Sequence, residues 1–84
     1  MSKDLSDAER FKIAVGQRAY LWRLAAGLGR SELAAKAGVS ADYVYRLEQG
    51  WANPRLDTLH RIACALDTPL EELLAVSEEE IRLV

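Results

Sequence analysis

The stretch from Leu28 to Gly50, LGRSELAAKAGVSADYVYRLEQG, leaves this chain few ways to fold. Two short runs of helical character meet at Ala37, Gly38 and Val39, and a further glycine, Gly50, closes the second run. The pattern predicts one helix from about Arg30 to Lys36 and another from about Ala41 to Gln49. Between them Gly38 supplies a left-handed backbone conformation that a residue with a Cβ resists. Val39 turns its side chain into the corner, and Ser40 offers a hydroxyl acceptor at the next N-cap.

Two helices joined by a few residues containing glycine make a helix-turn-helix unit, whose second helix enters the DNA major groove. At 84 residues, half of them hydrophobic, the chain is expected to form one domain over 1–84. Its net charge of −2 looks wrong for a nucleic-acid binder until the charges are located. From Phe11 to Ala63, Lys12, Arg18, Arg23, Arg30, Lys36, Arg46, Arg55 and Arg61 face only Glu32, Asp42, Glu48 and Asp57, a surplus of +4. The acidic C-terminal segment, 71–84, sets Arg82 against Glu71, Glu72, Glu78, Glu79 and Glu80, a balance of −4. The two regions have opposite sign, which the total hides. The single Cys64 excludes an internal disulfide framework and suits a reducing compartment. No apolar run approaches the roughly 20 residues of a membrane span, and the polar start is no signal peptide. The chain is therefore expected to be soluble and cytoplasmic, away from membranes.

The rest of the chain reads as helices. Ser6 and Glu9 have capping-box spacing, so a first helix begins near Asp7 and reaches about Ala26, with Gly27 as its stop. Phe11, Val15, Ala19 and Trp22 form its inward stripe, while Leu21 and Leu24 lie off it. Those two leucines mark either a second buried face or a partner surface. Leu33, Ala34 and Ala37 face inward on the second helix, Val44 and Leu47 on the third. A fourth helix, about Leu56 to Leu66, buries Leu59, Ile62, Ala63 and Leu66. Thr68 as N-cap, Pro69 at the first helical position and Glu71 as the capping-box acid start a fifth. Ser77 and Glu80 repeat that spacing, giving a short extra helix with Ile81, Leu83 and Val84. No alternation suggests a strand, so the fold class is all-α.

The sequence resembles the phage repressor and Cro type of helix-turn-helix domain, the XRE family. The resemblance rests on Gly27-Leu28, Glu32-Leu33-Ala34, Gly38-Val39-Ser40, Arg46-Leu47-Glu48 with Gly50, Pro54, and Thr58-Leu59 with Ile62-Ala63 and Ala65-Leu66. It covers roughly residues 15–74 and implies a compact five-helix, lambda-repressor-like domain that binds operator DNA as a two-fold dimer. Small members of the family include phage repressors, restriction–modification controller proteins and antitoxins. Two positions depart from its pattern. Gly29 and Arg30 stand where Ser and Gln are common, which removes a hydroxyl cap and exchanges a neutral phosphate contact for a charged one. Ala19 is smaller than the usual Ile or Leu, with Trp22 near enough to fill the space.

The resemblance places Ala41, Asp42, Tyr45 and Arg46 at the base-reading positions. Arg46 is the strongest reader, because its fork matches guanine O6 and N7, a pair worth about 1–3 kcal/mol. Asp42 either accepts from cytosine N4 or complements the helix dipole. Tyr45 reaches DNA, and Tyr43 either touches a phosphate or lies flat on the protein. Arg18, Arg30 and Arg55 are the phosphate contacts, assisted by Asn53 and by the backbone amides near Arg30. In the resembling domains, Arg23 and Glu48 correspond to a partly buried structural ion pair. Trp51 either braces a dimer contact or stacks on the sugar–phosphate backbone. Leu74, Ile81, Leu83 and Val84 are the expected dimer interface, since a small domain gains little by exposing them.

His60 and Cys64 stand four apart on the fourth helix, but two ligands do not make a zinc site, and no metal or cofactor is expected. No nucleophile–base set or phosphate-cradling loop is present, so an enzyme is not expected. No ligand-binding domain follows the DNA-binding unit, so no small-molecule ligand is expected either. The leading reading is a sequence-specific transcriptional regulator of repressor or controller type, a homodimer on a pseudopalindromic operator in double-stranded DNA. The alternative is an antitoxin-like module that masks a toxin, with DNA binding secondary.

Overall fold

The computed structural model describes residues 5–77. Five helices follow in order: α1 (Asp7–Ala25), α2 (Arg30–Ala37), α3 (Ala41–Glu48), α4 (Leu56–Ala65) and α5 (Leu70–Leu74). Among the described residues there is no strand. α3 packs between α1 and α2, α4 lies against α2, and α5 closes the bundle against α4 and α1.

The helix starts are chemical. Ser6 Oγ accepts from the Glu9 N–H at 3.1 Å and Glu9 Oε1 accepts from the Ser6 N–H at 2.8 Å, a complete capping box for α1. Ser40 Oγ accepts from the Tyr43 N–H at 3.0 Å at the head of α3. The helix ends are conformational. α2 stops where Gly38 takes φ +72 and α3 where Gly50 takes φ +80, a region open to glycine at no steric penalty. α4 ends the same way with Asp67 at φ +57, a residue type that tolerates this region because its short polar side chain bonds locally.

Val15, Ala19, Leu33, Val44, Leu47, Ile62, Leu66 and Leu73 form one core, and Leu33, Val44, Ile62 and Leu73 fill it as its largest fully buried side chains. Against about 25 cal/mol for each Å² of apolar surface removed from water, this cluster is the main favourable contribution to folding. α1 and α3 approach closely enough that a Cβ on Gly16 would fall on the Leu47 carbonyl oxygen and within 2.9 Å of that of Glu48. A Cβ on Gly50 would meet Ile13 Cγ1 at 2.6 Å. α3 is thus seated directly on the backbone of α1.

Several expectations need correction. Phe11 is 37% exposed, because it lies one turn beyond the centre of the inward stripe, at the rim of a groove with Pro54 and Leu74. Leu21 and Leu24 are 61% and 49% exposed, so no second face of α1 is buried within the described residues. The fifth helix starts one residue later than expected. The Thr68 N–H donates to the Ala63 carbonyl at 3.0 Å, which makes Thr68 part of the exit from α4. Pro69 therefore holds the N-cap position, and the buried Thr68 Oγ1 has no hydrogen-bond partner. The expected short helix beginning at Ser77 continues past the last described residue, and Glu80, Ile81, Leu83 and Val84 lie outside the described residues.

Candidate nucleic-acid interface

α3 is divided lengthwise. Val44, Leu47 and Glu48 are buried at 0%, 2% and 6% exposure, while Asp42, Tyr45, Arg46 and Gln49 face solvent. Ala41 and Tyr43 are half-buried and pack against the core. This separation follows from the helical period, since 44, 47 and 48 share one side and 42, 45, 46 and 49 the rest. Burial raises the Tyr43 phenol above its ordinary pKa, opposed by the nearby Arg46 and Arg61 charges. Arg46 extends into solvent and has no carboxylate partner among the described residues.

The buried end of α3 carries a cluster of charged contacts. Arg23 Nε donates to Glu48 Oε2 at 2.6 Å, Arg23 Nη2 to Glu48 Oε1 at 3.2 Å, and Arg23 Nη1 to the Leu28 carbonyl at 2.9 Å. Glu48 holds the Arg23 guanidinium above its ordinary pKa, outweighing desolvation, and the Tyr20 ring lies 5.4 Å below the same guanidinium. Arg30 Nε donates to Glu48 Oε1 at 3.0 Å. One carboxylate therefore serves two guanidiniums and leaves a surplus positive charge. That surplus sits on the outer one, since the Arg30 side chain is 40% exposed and that of Arg23 only 7%. Arg30 also lies 5.2 Å over the Tyr45 ring, and Tyr45 meets Trp51 edge-on at 5.7 Å.

Arg30 stands at the first position of α2, where backbone amides have no helical acceptor. With glycine at the N-cap there is no hydroxyl, and Glu32 Oε1 instead accepts from the Gly29 N–H at 2.7 Å. Beyond α3, Asn53 is exposed and the Arg55 side chain is 83% exposed, 3.3 Å from Asp57 Oδ1. Arg30, Tyr45 and Arg46 thus share the solvent side of the α2–α3 unit.

Arg18, expected on phosphates, is engaged with α5. Its Nε donates to the Glu72 carbonyl at 2.6 Å and its guanidinium lies 3.8 Å from the Glu72 carboxylate, tying α1 to α5. Two residues after Gly16, it points about 200° around the helix from the side that seats α3. Arg61, not singled out from sequence, donates from Nε to the Ala37 carbonyl at 3.1 Å, placing a cation at the C-terminal end of α2. Leu74 is half-buried against the core, at the groove it shares with Phe11 and Pro54. His60 Nε2 and Cys64 Sγ are 3.7 Å apart on α4. The sequence reading missed Arg30 as a second partner of Glu48. No local spacing signals this contact, because Arg30 and Glu48 lie 18 residues apart and meet only through the packing of α2 on α3.

The helix-turn-helix family model HTH_3 matches residues 20–73. The chain belongs to the XRE/Cro-C1 family of helix-turn-helix proteins. Within it, the HTH-type transcriptional regulator SinR of Bacillus subtilis is 35% identical over 66 residues, covering 77% of this chain and 60% of SinR. SinR of Bacillus licheniformis matches to the same extent, so the chain spans about 60% of the length of these relatives. Among solved structures, the restriction-modification controller protein C.AhdI from Aeromonas hydrophila superposes with a TM-score of 0.71 at 36% identity, covering 73% of this chain and 92% of that one. The hypothetical transcription factor NHTF from Neisseria superposes with a TM-score of 0.77 at 25% identity, covering 100% and 97%. No helix among the described residues is long and apolar enough to cross a membrane.

Proposed function

We propose that this protein is a sequence-specific regulator of transcription that places α3 in the major groove of double-stranded DNA. The observation that carries this is the division of α3: a buried side fixed to α1, and an exposed side where Arg46 has no carboxylate partner among the described residues, beside the surplus charge of Arg30. Arg46 reads guanine, Tyr45, Ala41 and Asp42 line the same groove, and Arg30, Arg55 and Asn53 meet phosphates. The relatives support the reading, being named transcriptional regulators and a controller protein. The protein acts as a two-fold dimer of repressor or controller type. Leu74 and the segment containing Ile81, Leu83 and Val84 form its interface.

One experiment tests these statements together. Duplexes are selected from a random pool by the full chain and by Arg46→Ala. The expected motif is pseudopalindromic, with half-sites one helical turn apart, about 34 Å. Arg46→Ala loses one G·C preference in each half-site, worth about 1–3 kcal/mol. An unchanged motif removes Arg46 from base reading, and a single unrepeated half-site removes the dimer.

A second reading, a module that masks a protein toxin, draws on the exposed Leu21 and Leu24 of α1. Steep loss of affinity for the selected duplex with rising salt favours DNA as the principal partner. A salt-insensitive, weak duplex affinity favours the protein partner.

A further inference from the structure

The solvent edge of α3 holds a set of contacts that base reading alone leaves unused. At φ +80 Gly50 turns the chain back on itself. The Gly50 N–H donates to the Leu47 carbonyl at 3.0 Å and the Trp51 N–H to the Arg46 carbonyl at 2.9 Å. This closure brings the residue after the glycine against the last turns of the helix. Trp51 meets Tyr45 there, with ring centres 5.7 Å apart and planes at 81°. The same phenol ring carries the Arg30 guanidinium 5.2 Å from its centre, and Arg30 is held in turn by Glu48. Three exposed side chains from three segments are therefore joined through one ring.

A hydrophobic cap would account for Trp51 if the indole were covered, but 63% of the residue stays exposed. What the contact does change is the freedom of Tyr45. An exposed aromatic side chain on a helix samples several rotamers, and one restrained by two neighbours loses less entropy when it meets a partner. We propose that Trp51 is a positioning residue for DNA recognition. It fixes Tyr45, and through Tyr45 the Arg30 guanidinium, so the base step facing Tyr45 is set partly from outside the recognition helix. The assignment rests on α3 being the DNA-reading helix.

The test compares full-length wild type, Tyr45→Ala, Trp51→Ala, Trp51→Leu and Trp51→Phe in selection from a random duplex pool, with a urea midpoint measured for each. Trp51→Leu keeps an apolar cap and serves if Trp51→Ala fails to fold. Trp51→Phe should return the wild-type motif. Trp51→Leu should unfold at the wild-type midpoint, yet lose base preference at the positions Tyr45→Ala loses and keep those read by Arg46. Its affinity for the wild-type motif should fall about tenfold, the scale of one aromatic pair, and by clearly more than its affinity for random duplex, which feels only the loosened Arg30. A wild-type motif from Trp51→Leu overturns the assignment. So does an equal loss on selected and random duplex, which would mean that Trp51 acts on backbone contacts alone and not on base reading through Tyr45. A wild-type chain that selects no motif overturns the DNA-reading proposal and this one together, whereas the other two failures leave that proposal standing.

Discussion

Replacing Glu48 with Met removes the one carboxylate that Arg23 and Arg30 share. The Glu48 side chain is 1% exposed and that of Arg23 7%. After the change Arg23 stays buried with the Leu28 carbonyl and the Tyr20 face as its remaining partners among the described residues. An uncompensated buried charge of this kind costs about 3–5 kcal/mol. Arg30, 40% exposed, swings into water and adds little. Arg23→Met is the milder change, because the buried carboxylate keeps Arg30 at 3.0 Å, and its loss should sit near the lower edge, about 3 kcal/mol. The double change to two methionines removes both charges and should recover most of the loss, since well-packed apolar replacements of buried pairs are often neutral. Domains of this size hold about 5–15 kcal/mol in total, so Glu48→Met removes a large share. Urea unfolding followed by far-ultraviolet circular dichroism gives the four free energies and the coupling between the sites. Glu48→Met within about 1 kcal/mol of wild type, or Arg23→Met costlier than Glu48→Met, would refute the reasoning.

Two further outcomes follow from the helix contacts. Gly16→Ala places a methyl on the Leu47 and Glu48 carbonyls and forces α1 from α3. Overpacking of about 1–3 kcal/mol or more outweighs the gain of about 1 kcal/mol from alanine's helix propensity, and calorimetry should find Tm lowered by several degrees. A raised Tm would show that the two helices are not in backbone contact. The Glu9 carboxyl is held below its ordinary pKa of 4.5, first by the Ser6 N–H and then by the Ser6 hydroxyl. Its contribution is present above that value and disappears as pH falls through the lowered native one. Glu9→Gln keeps the cap without the titration, so the unfolding midpoint of that variant should vary less with pH below 4.5 than that of wild type. Equal pH dependence of the two chains would count against the capping box.

Helix boundaries were legible because they are decided locally. Ser6 with Glu9, Ser40, Gly38 and Gly50 each act within one turn of chain, and the structure uses each where the spacing placed it. Thr68 shows where local reading stops. Its N–H is taken by Ala63 of the helix before it, a competition that spacing alone does not register. The same is true of Phe11, whose periodicity is right but whose side chain lies past the helices that cover the stripe. Gly16 reads as a poor helix residue until α3 is brought down upon it. Arg18 and Arg30 are both basic and near helix starts or faces, yet one reaches α5 and the other α3, 54 and 18 residues away. Charge pattern identified the cations; only packing distributes them.

The lengthwise division of α3 bears on how such a protein changes over generations. Asp42 and Arg46 contribute neither to the core nor to the Arg23–Glu48–Arg30 cluster, so substitutions there leave folding almost untouched. Under the proposed reading of α3, lineages are free to drift at these two sites and acquire new targets without first passing through an unstable ancestor. Tyr45 is tethered to Arg30 and Trp51, so on the same reading retargeting through it requires those neighbours to change as well.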